Sequence, residues 1–154
     1  LYAGIMLKDD EPFVLEYNVR MGDPECQPIL IRMDSDLFEY LIGSVNGTLE
    51  KLPQISWKNK SAVCIVLASK GYPNSYPKSD EIFGLEKVSD DGLIFHAGTK
   101  IVDEKIITNG GRVLGVTALG DTLELAIKNA YNIASKISWK NKYMRTDIGK
   151  KGLR

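Results

Sequence analysis

The sequence predicts an α+β fold in two pieces, residues 1–56 and 61–154, made of short antiparallel strands with packed helices. Three observations carry this. Apolar runs of strand length come in pairs joined by short polar turns. Two other stretches repeat apolar residues at helical spacing instead. Between them, residues 46 to 60 gather Gly47, Pro53 and Lys58-Asn59-Lys60, a shift in composition that reads as a boundary.

In chain order, Leu1 to Leu7 is an apolar strand that opens without an initiator Met, as if taken from the middle of something longer. Lys8 to Pro12 reads as a polar turn, and Phe13 to Arg20 as the returning strand of a hairpin. Met21-Gly22-Asp23-Pro24-Glu25 is a turn signature, and a helix follows over about Cys26 to Met33. Leu37, Phe38, Leu41, Ile42 and Val45 mark an amphipathic helix, which Asn46-Gly47 stops.

Beyond the boundary, Ala62 to Ala68 and Leu93 to Ala97 read as strands. Lys100 to Val102 and Lys105 to Thr108 flank Asp103-Glu104 as a two-residue hairpin. Asn109-Gly110-Gly111 turns into a strand over Arg112 to Leu119. Asp121 as N-cap with Glu124 at the third helical position gives a capping box. The helix it starts carries a stripe from Leu123 through Ala126, Ala130, Ile133 and Ala134 to Ile137, which should pack on the small sheet.

Bulk properties exclude several function classes. The 154 residues suffice for one ordinary domain or two small ones. Twenty Lys plus Arg balance twenty Asp plus Glu, so no net field attracts nucleic acid or an anionic membrane. The Lys150 to Arg154 ending reads as a solvated tail. Two cysteines, Cys26 and Cys64, and one histidine, His96, are too few for an ordinary zinc site. Both thiols read as reduced cysteines of a cytoplasmic enzyme, since no membrane span or signal peptide is visible in the sequence.

The chemistry concentrates in the second strand. Period-two alternation puts Glu16, Asn18 and Arg20 on one face. A carboxylate and a carboxamide two residues apart can share one hard cation, and a neighbouring guanidinium can clamp a phosphate. On spacing alone the signal is weak, and a solvent-facing strand of mixed charge accounts for it as well or better. Gly110-Gly111-Arg112 precedes a strand, not a helix, so the helix-dipole argument for anion binding fails; Arg112 either follows a plain turn or faces substrate. His96 reads as a hydrogen-bonded structural residue. The pentapeptide Ser-Trp-Lys-Asn-Lys occurs at residues 56–60 and again at 138–142, with no functional account.

The run Glu16-Tyr17-Asn18-Val19-Arg20-Met21-Gly22-Asp23-Pro24-Glu25, followed by Gln27-Pro28, resembles the metal- and substrate-binding strand and loop of glycinamide ribonucleotide synthetases. These are phosphoribosylamine–glycine ligases of the ATP-grasp superfamily. Lys70-Gly71-Tyr72-Pro73, Phe95-His96-Ala97-Gly98-Thr99, Thr108 to Leu114 and Arg145-Thr146-Asp147-Ile148-Gly149 extend the resemblance in order along nearly the whole chain. It implies that residues 1–56 end an ATP-grasp domain and that residues 61–154 form a barrel-sandwich-like C-terminal domain. It implies an ATP-dependent ligase joining glycine to phosphoribosylamine through glycyl phosphate, with Mg2+ or Mn2+ as metal. Glu16 and Asn18 would be the metal ligands and Arg20 a catalytic phosphate-steadying group. Asp23, Glu25 and Arg112 would contact substrate. The ATP-binding lid and N-terminal domain would lie upstream, leaving this portion catalytically incomplete. A structural module without chemistry, or an ATP-grasp ligase for another carboxylate, are the competing readings; the Glu16 to Glu25 run argues against both.

Overall fold

The structure, a computed structural model, describes residues 2–86 and 92–153. The expected strand start at Leu1 and the end of the tail at Arg154 lie outside them.

The chain opens with a hairpin, β1 (Tyr2–Lys8) paired antiparallel with β2 (Glu11–Asn18). The connection is tighter than the expected five-residue turn. Lys8 pairs with Glu11, and only Asp9 and Asp10 turn the chain, both at positive φ (53° and 63°). Left-handed conformations at both central residues suit the right-handed twist of the flanking strands. Pro12 therefore sits inside β2, which a proline tolerates because both strands of a two-stranded ribbon are edges.

Helix α1 (Cys26–Arg32) and helix α2 (Leu37–Asn46) follow. Pro28 lies in the first turn of α1, where its missing N–H has no helical partner to lose. Asp36 caps α2 by accepting from the Phe38 amide at 2.9 Å, and Gly47 ends it at φ 65°.

The rest is organised by a four-stranded antiparallel sheet of order β4-β7-β3-β8, comprising β3 (Ser61–Ser69), β4 (Gly92–His96), β7 (Arg112–Gly120) and β8 (Lys142–Tyr143). A second hairpin, β5 (Thr99–Val102) with β6 (Lys105–Thr108), turns through Asp103-Glu104 as expected, again with two positive φ values. Helix α3 (Leu123–Lys136) packs on one face of the sheet. There Val63, Ile65 and Leu67 of β3 stand beside Ala118, Val116 and Leu114 of β7 and meet Ala126, Ala130, Ile133 and Ala134. The cap of α3 differs from expectation. Thr122, not Asp121, accepts from the Leu125 amide at 3.2 Å, and Asp121 instead lies 3.8 Å from Lys60.

The opposite face of β3 and β7 is covered by α1. Burial of both faces explains why β3 reads as an unbroken apolar run rather than an alternation. The α+β class and the antiparallel pairing agree with the sequence reading.

Candidate functional site

The site is built where the end of β2 and the loop into α1 meet the α1-covered face of the sheet. Asn18 is the last residue of β2 and pairs with Tyr2; Glu16 pairs with Gly4. Glu16 and Asn18 thus share a face, as their spacing requires. Arg20 does not continue that face. The strand ends at Asn18, and Arg20 lies exposed in a bend with its Nη1 donating to the Met21 carbonyl at 2.9 Å.

Tyr2 is the residue on which these groups converge, and sequence reasoning missed it. Desolvation raises its phenol above 10.0, and Glu25 adds to this through charge and a hydrogen bond. Glu16 pushes the same way and Arg20 opposes it. The loop reaches this position because residue 22 is glycine. A β-carbon there would collide with the Glu25 carboxylate and stand 3.0 Å from the Tyr2 ring. The Gly22 carbonyl then accepts from the Cys26 amide at 2.9 Å, which starts α1.

Asn18 also offers a test of the metal expectation. Its Nδ2 is buried without a hydrogen-bond partner. Carboxamide N and O exchange by a simple flip, so the group has an amide atom unspent on the protein. With the Glu16 carboxylate on the same face, two oxygen donors are available, which suits a hard cation that completes its shell with water and substrate phosphate. No group of three or more His, Cys, Asp or Glu with metal-holding geometry occurs among the described residues.

Asp23 turns the other way, toward the sheet. Its Oδ2 accepts from Arg112 Nη2 at 2.7 Å, so two residues expected to contact substrate are joined across 89 positions of sequence. Both remain partly exposed (57% and 41%), so the pair contributes little stability and is free to exchange partners. Arg112 is the first residue of β7, placed by the Asn109-Gly110-Gly111 turn. Asp23, Pro24, Gln27 and Arg112 wall a hollow of about 40 Å³. It adjoins a larger cleft of about 290 Å³, with Pro24, Cys64, Val66 and Arg112 common to both. Alternate residues of β3, Cys64, Val66 and Ala68, form the cleft floor, and Tyr72, Tyr143 and Arg145 stand around it. Burial pushes the Cys64 thiol up, and Asp23 and Glu25 add to this, so Cys64 is a protonated packing group. His96 Nδ1 lies 3.0 Å from Thr99 Oγ1, the structural role expected of it.

The chain matches known proteins along nearly its whole length. Residues 62–151 match the family described as phosphoribosylglycinamide synthetase, C domain, and residues 1–26 match the phosphoribosylglycinamide synthetase ATP-grasp (A) domain. The chain is 45% identical over 155 residues to a phosphoribosylamine–glycine ligase of Rhodopirellula baltica, covering 99% of this chain and 36% of that protein. It is 48% identical to the trifunctional purine biosynthetic protein adenosine-3 of Gallus gallus, covering 97% of this chain and 15% of that one. A solved phosphoribosylamine–glycine ligase from Thermotoga maritima superimposes with a TM-score of 0.73 at 37% identity, over 94% of this chain and 35% of its own. The chain thus spans about a third of the length of the single-function relatives it matches.

Proposed function

The chain belongs to the phosphoribosylglycinamide synthetase family, and from that premise we propose that it forms the C-terminal part of a cytoplasmic, ATP-dependent phosphoribosylamine–glycine ligase. In that reading residues 1–56 close an ATP-grasp domain, and residues 61–154 form the barrel-sandwich-like C-terminal domain. ATP, glycine and phosphoribosylamine meet between this part and an N-terminal domain and lid of the same polypeptide. The glycine carboxylate takes the γ-phosphoryl group of ATP, the amine of phosphoribosylamine attacks the glycyl phosphate, and phosphate leaves with formation of glycinamide ribonucleotide.

Each residue of the site has a task in this scheme. Glu16 and Asn18 would hold Mg2+ or Mn2+, which would supply the charge neutralisation that phosphoryl transfer requires. Arg20, at the bend beyond them, steadies a phosphate of the nucleotide or of the acyl phosphate. Asp23, Glu25 and Arg112 orient phosphoribosylamine. No general base is needed, because the acyl phosphate is already activated and the amine is neutral near pH 7. The observation that carries the reading is the Asp23–Arg112 pair, which sets the loop after Glu16 and Asn18 beside the first residue of β7 at a cleft.

The test is ADP release by the full-length ligase carrying this segment, with ATP, Mg2+, glycine and freshly generated phosphoribosylamine. Release should depend on both glycine and the amine, and Glu16→Ala and Asn18→Ala should each lower it by about 10²–10³-fold, as loss of one strong electrostatic stabiliser does. Release that ignores glycine, or survives both substitutions, overturns the assignment.

A further inference from the structure

Tyr2 stands among the residues of the candidate site, yet the scheme above gives it no task. We propose that Tyr2 is a positioning residue, holding the Glu25 carboxylate at the end of the β1–β2 hairpin that carries Glu16 and Asn18; the proposal rests on the ligase reading and deepens it.

Register is the first argument. Tyr2 pairs with Asn18, and Gly4 with Glu16. Directly opposed residues of an antiparallel pair project to the same side, so Tyr2 shares a face with both expected metal ligands. Gly4 leaves that face clear, since a β-carbon there would stand 3.0 Å from Glu16 Cγ. The Glu16 side chain therefore lies against bare backbone of β1, and Tyr2 supplies the next side chain of β1 on the same face.

The placing of Glu25 is the second argument. Glu25 occupies the N-cap position of α1, but its side chain makes no capping hydrogen bond. It turns to Tyr2 instead, whose hydroxyl donates to the carboxylate. A phenol at neutral pH meets a carboxylate only as the donor. Both groups close on one point: a β-carbon at Gly22 would stand 2.9 Å from Glu25 Cδ and 3.0 Å from Tyr2 Cζ. Gly22 is buried, so a larger residue there would have to push the pair apart.

The loop itself supplies the third argument. Asp23 meets Arg112 at 2.7 Å, at the start of β7. The two carboxylates of the loop thus find partners in opposite directions, Asp23 on β7 and Glu25 on β1, with Pro24 between them. Tyr2 and Glu25 also line one hollow of about 480 Å³, where Pro28, Ile29 and Trp57 form an apolar wall. Such a wall leaves fewer waters to compete for the phenol–carboxylate bond. A carboxylate already held in place loses less freedom when the amine or a hydroxyl of a substrate meets it. Tyr2 therefore acts through Glu25 and needs no contact with substrate.

The experiment uses the full-length ligase and two independent readouts. Tyr2→Phe deletes the hydroxyl and keeps the ring beside Gly22. In hydrogen exchange, the Cys26 amide, which closes the loop onto the Gly22 carbonyl, should exchange about 3- to 10-fold faster in Tyr2→Phe. In turnover, the KM for phosphoribosylamine should rise about tenfold, the size of one hydrogen bond to a charged group. The kcat, the KM values of ATP and glycine, and the Mg2+ concentration for half-maximal rate should stay at wild-type values. Tyr2→Phe added to Glu25→Ala should raise the KM no further than Glu25→Ala alone, as for residues that act through one contact. An unchanged KM or unchanged exchange in Tyr2→Phe overturns the proposal, and so do effects that multiply in the double variant. A shifted Mg2+ requirement with an unchanged KM also overturns it, and assigns Tyr2 to the metal residues instead. Exchange that quickens while turnover ignores phosphoribosylamine supports the hold of Tyr2 on Glu25 and places the failure in the ligase reading.

Discussion

The pentapeptide Ser-Trp-Lys-Asn-Lys occurs twice, and its two copies end in different surroundings. In Ser56–Lys60, Trp57 is 45% exposed and pairs through its backbone with Met33. In Ser138–Lys142, Trp139 is only 7% exposed and belongs to the main core with Ile65, Leu67 and Ile137. Ser138–Lys142 follows α3 directly, whereas Ser56–Lys60 lies beyond α2. Each copy still sends a lysine to the last carbonyls of a helix, α3 in one case and α1 in the other, and not the same lysine of the copy. Lys58, third in its copy, donates to Ile31 at 3.0 Å. Lys142, fifth in its copy, donates to Ala134 at 2.8 Å and to Ile137. A cation at a helix C-terminus is favoured wherever the chain allows it. What the chain allows is decided by its neighbours. Ser138 is held in an antiparallel bridge to Phe83, whereas Ser56 is tied to Ser35 through hydroxyl and amide.

The largest test of this contrast is the tryptophans. Trp139→Ala should cost about 3–5 kcal/mol, the range for emptying a large core site, and Trp57→Ala no more than about 1 kcal/mol, both by urea denaturation. Comparable losses would mean that the two surroundings are energetically alike. Trp139→Phe should be mild, since the Trp139 Nε1 has no partner to lose.

The asparagines should separate by less. Asn141 Nδ2 donates to Asp80 Oδ2 at 2.8 Å, and the Asp80 amide donates to Thr108 Oγ1 at 3.1 Å. Asn141→Ala should therefore cost about 1–2 kcal/mol, while the exposed Asn59→Ala stays within about 0.5 kcal/mol. A neutral Asn141→Ala would show that the Asp80 network contributes nothing.

The smallest expected effect is a pH slope. Desolvation lowers the Lys142 ammonium below its usual 10.5. As pH rises toward 10.5 the folded chain releases this proton before the unfolded chain does. The unfolded state then binds more protons, so this group makes stability climb with pH in the alkaline range just under 10.5. Lys142→Met should remove that component of the slope in urea melts run across the range. An unchanged slope would assign it to another group.

Local chemistry was legible wherever one segment settles the outcome. The Asp103-Glu104 hairpin, the end of α2 at Gly47, and the apolar stripe of α3 follow from spacing and from turn residues. The differences arose where two local solutions compete. Asp121 and Thr122 both suit an N-cap, and the backbone at Thr122 aims its hydroxyl at the Leu125 amide. Pro12 signals a turn, but a two-residue turn at Asp9-Asp10 leaves it an edge position in β2. Alternation placed Arg20 with Glu16 and Asn18 only on the assumption that β2 ran on past Asn18.

The sequence by itself determined the two hairpins, the helices and the carboxylate–carboxamide pair Glu16 and Asn18, because periodicity, turn geometry and caps act over a few residues. Tertiary structure alone decided that Tyr2 meets Glu25, that Asp23 meets Arg112, and that Gln27 and Arg145 stand in two adjoining hollows. Those contacts join segments tens of residues apart across the face of β3 and β7, and no local rule of spacing reaches that far. The two Ser-Trp-Lys-Asn-Lys copies make the same point from within: one string of residues, and a burial set by what the rest of the chain packs against it.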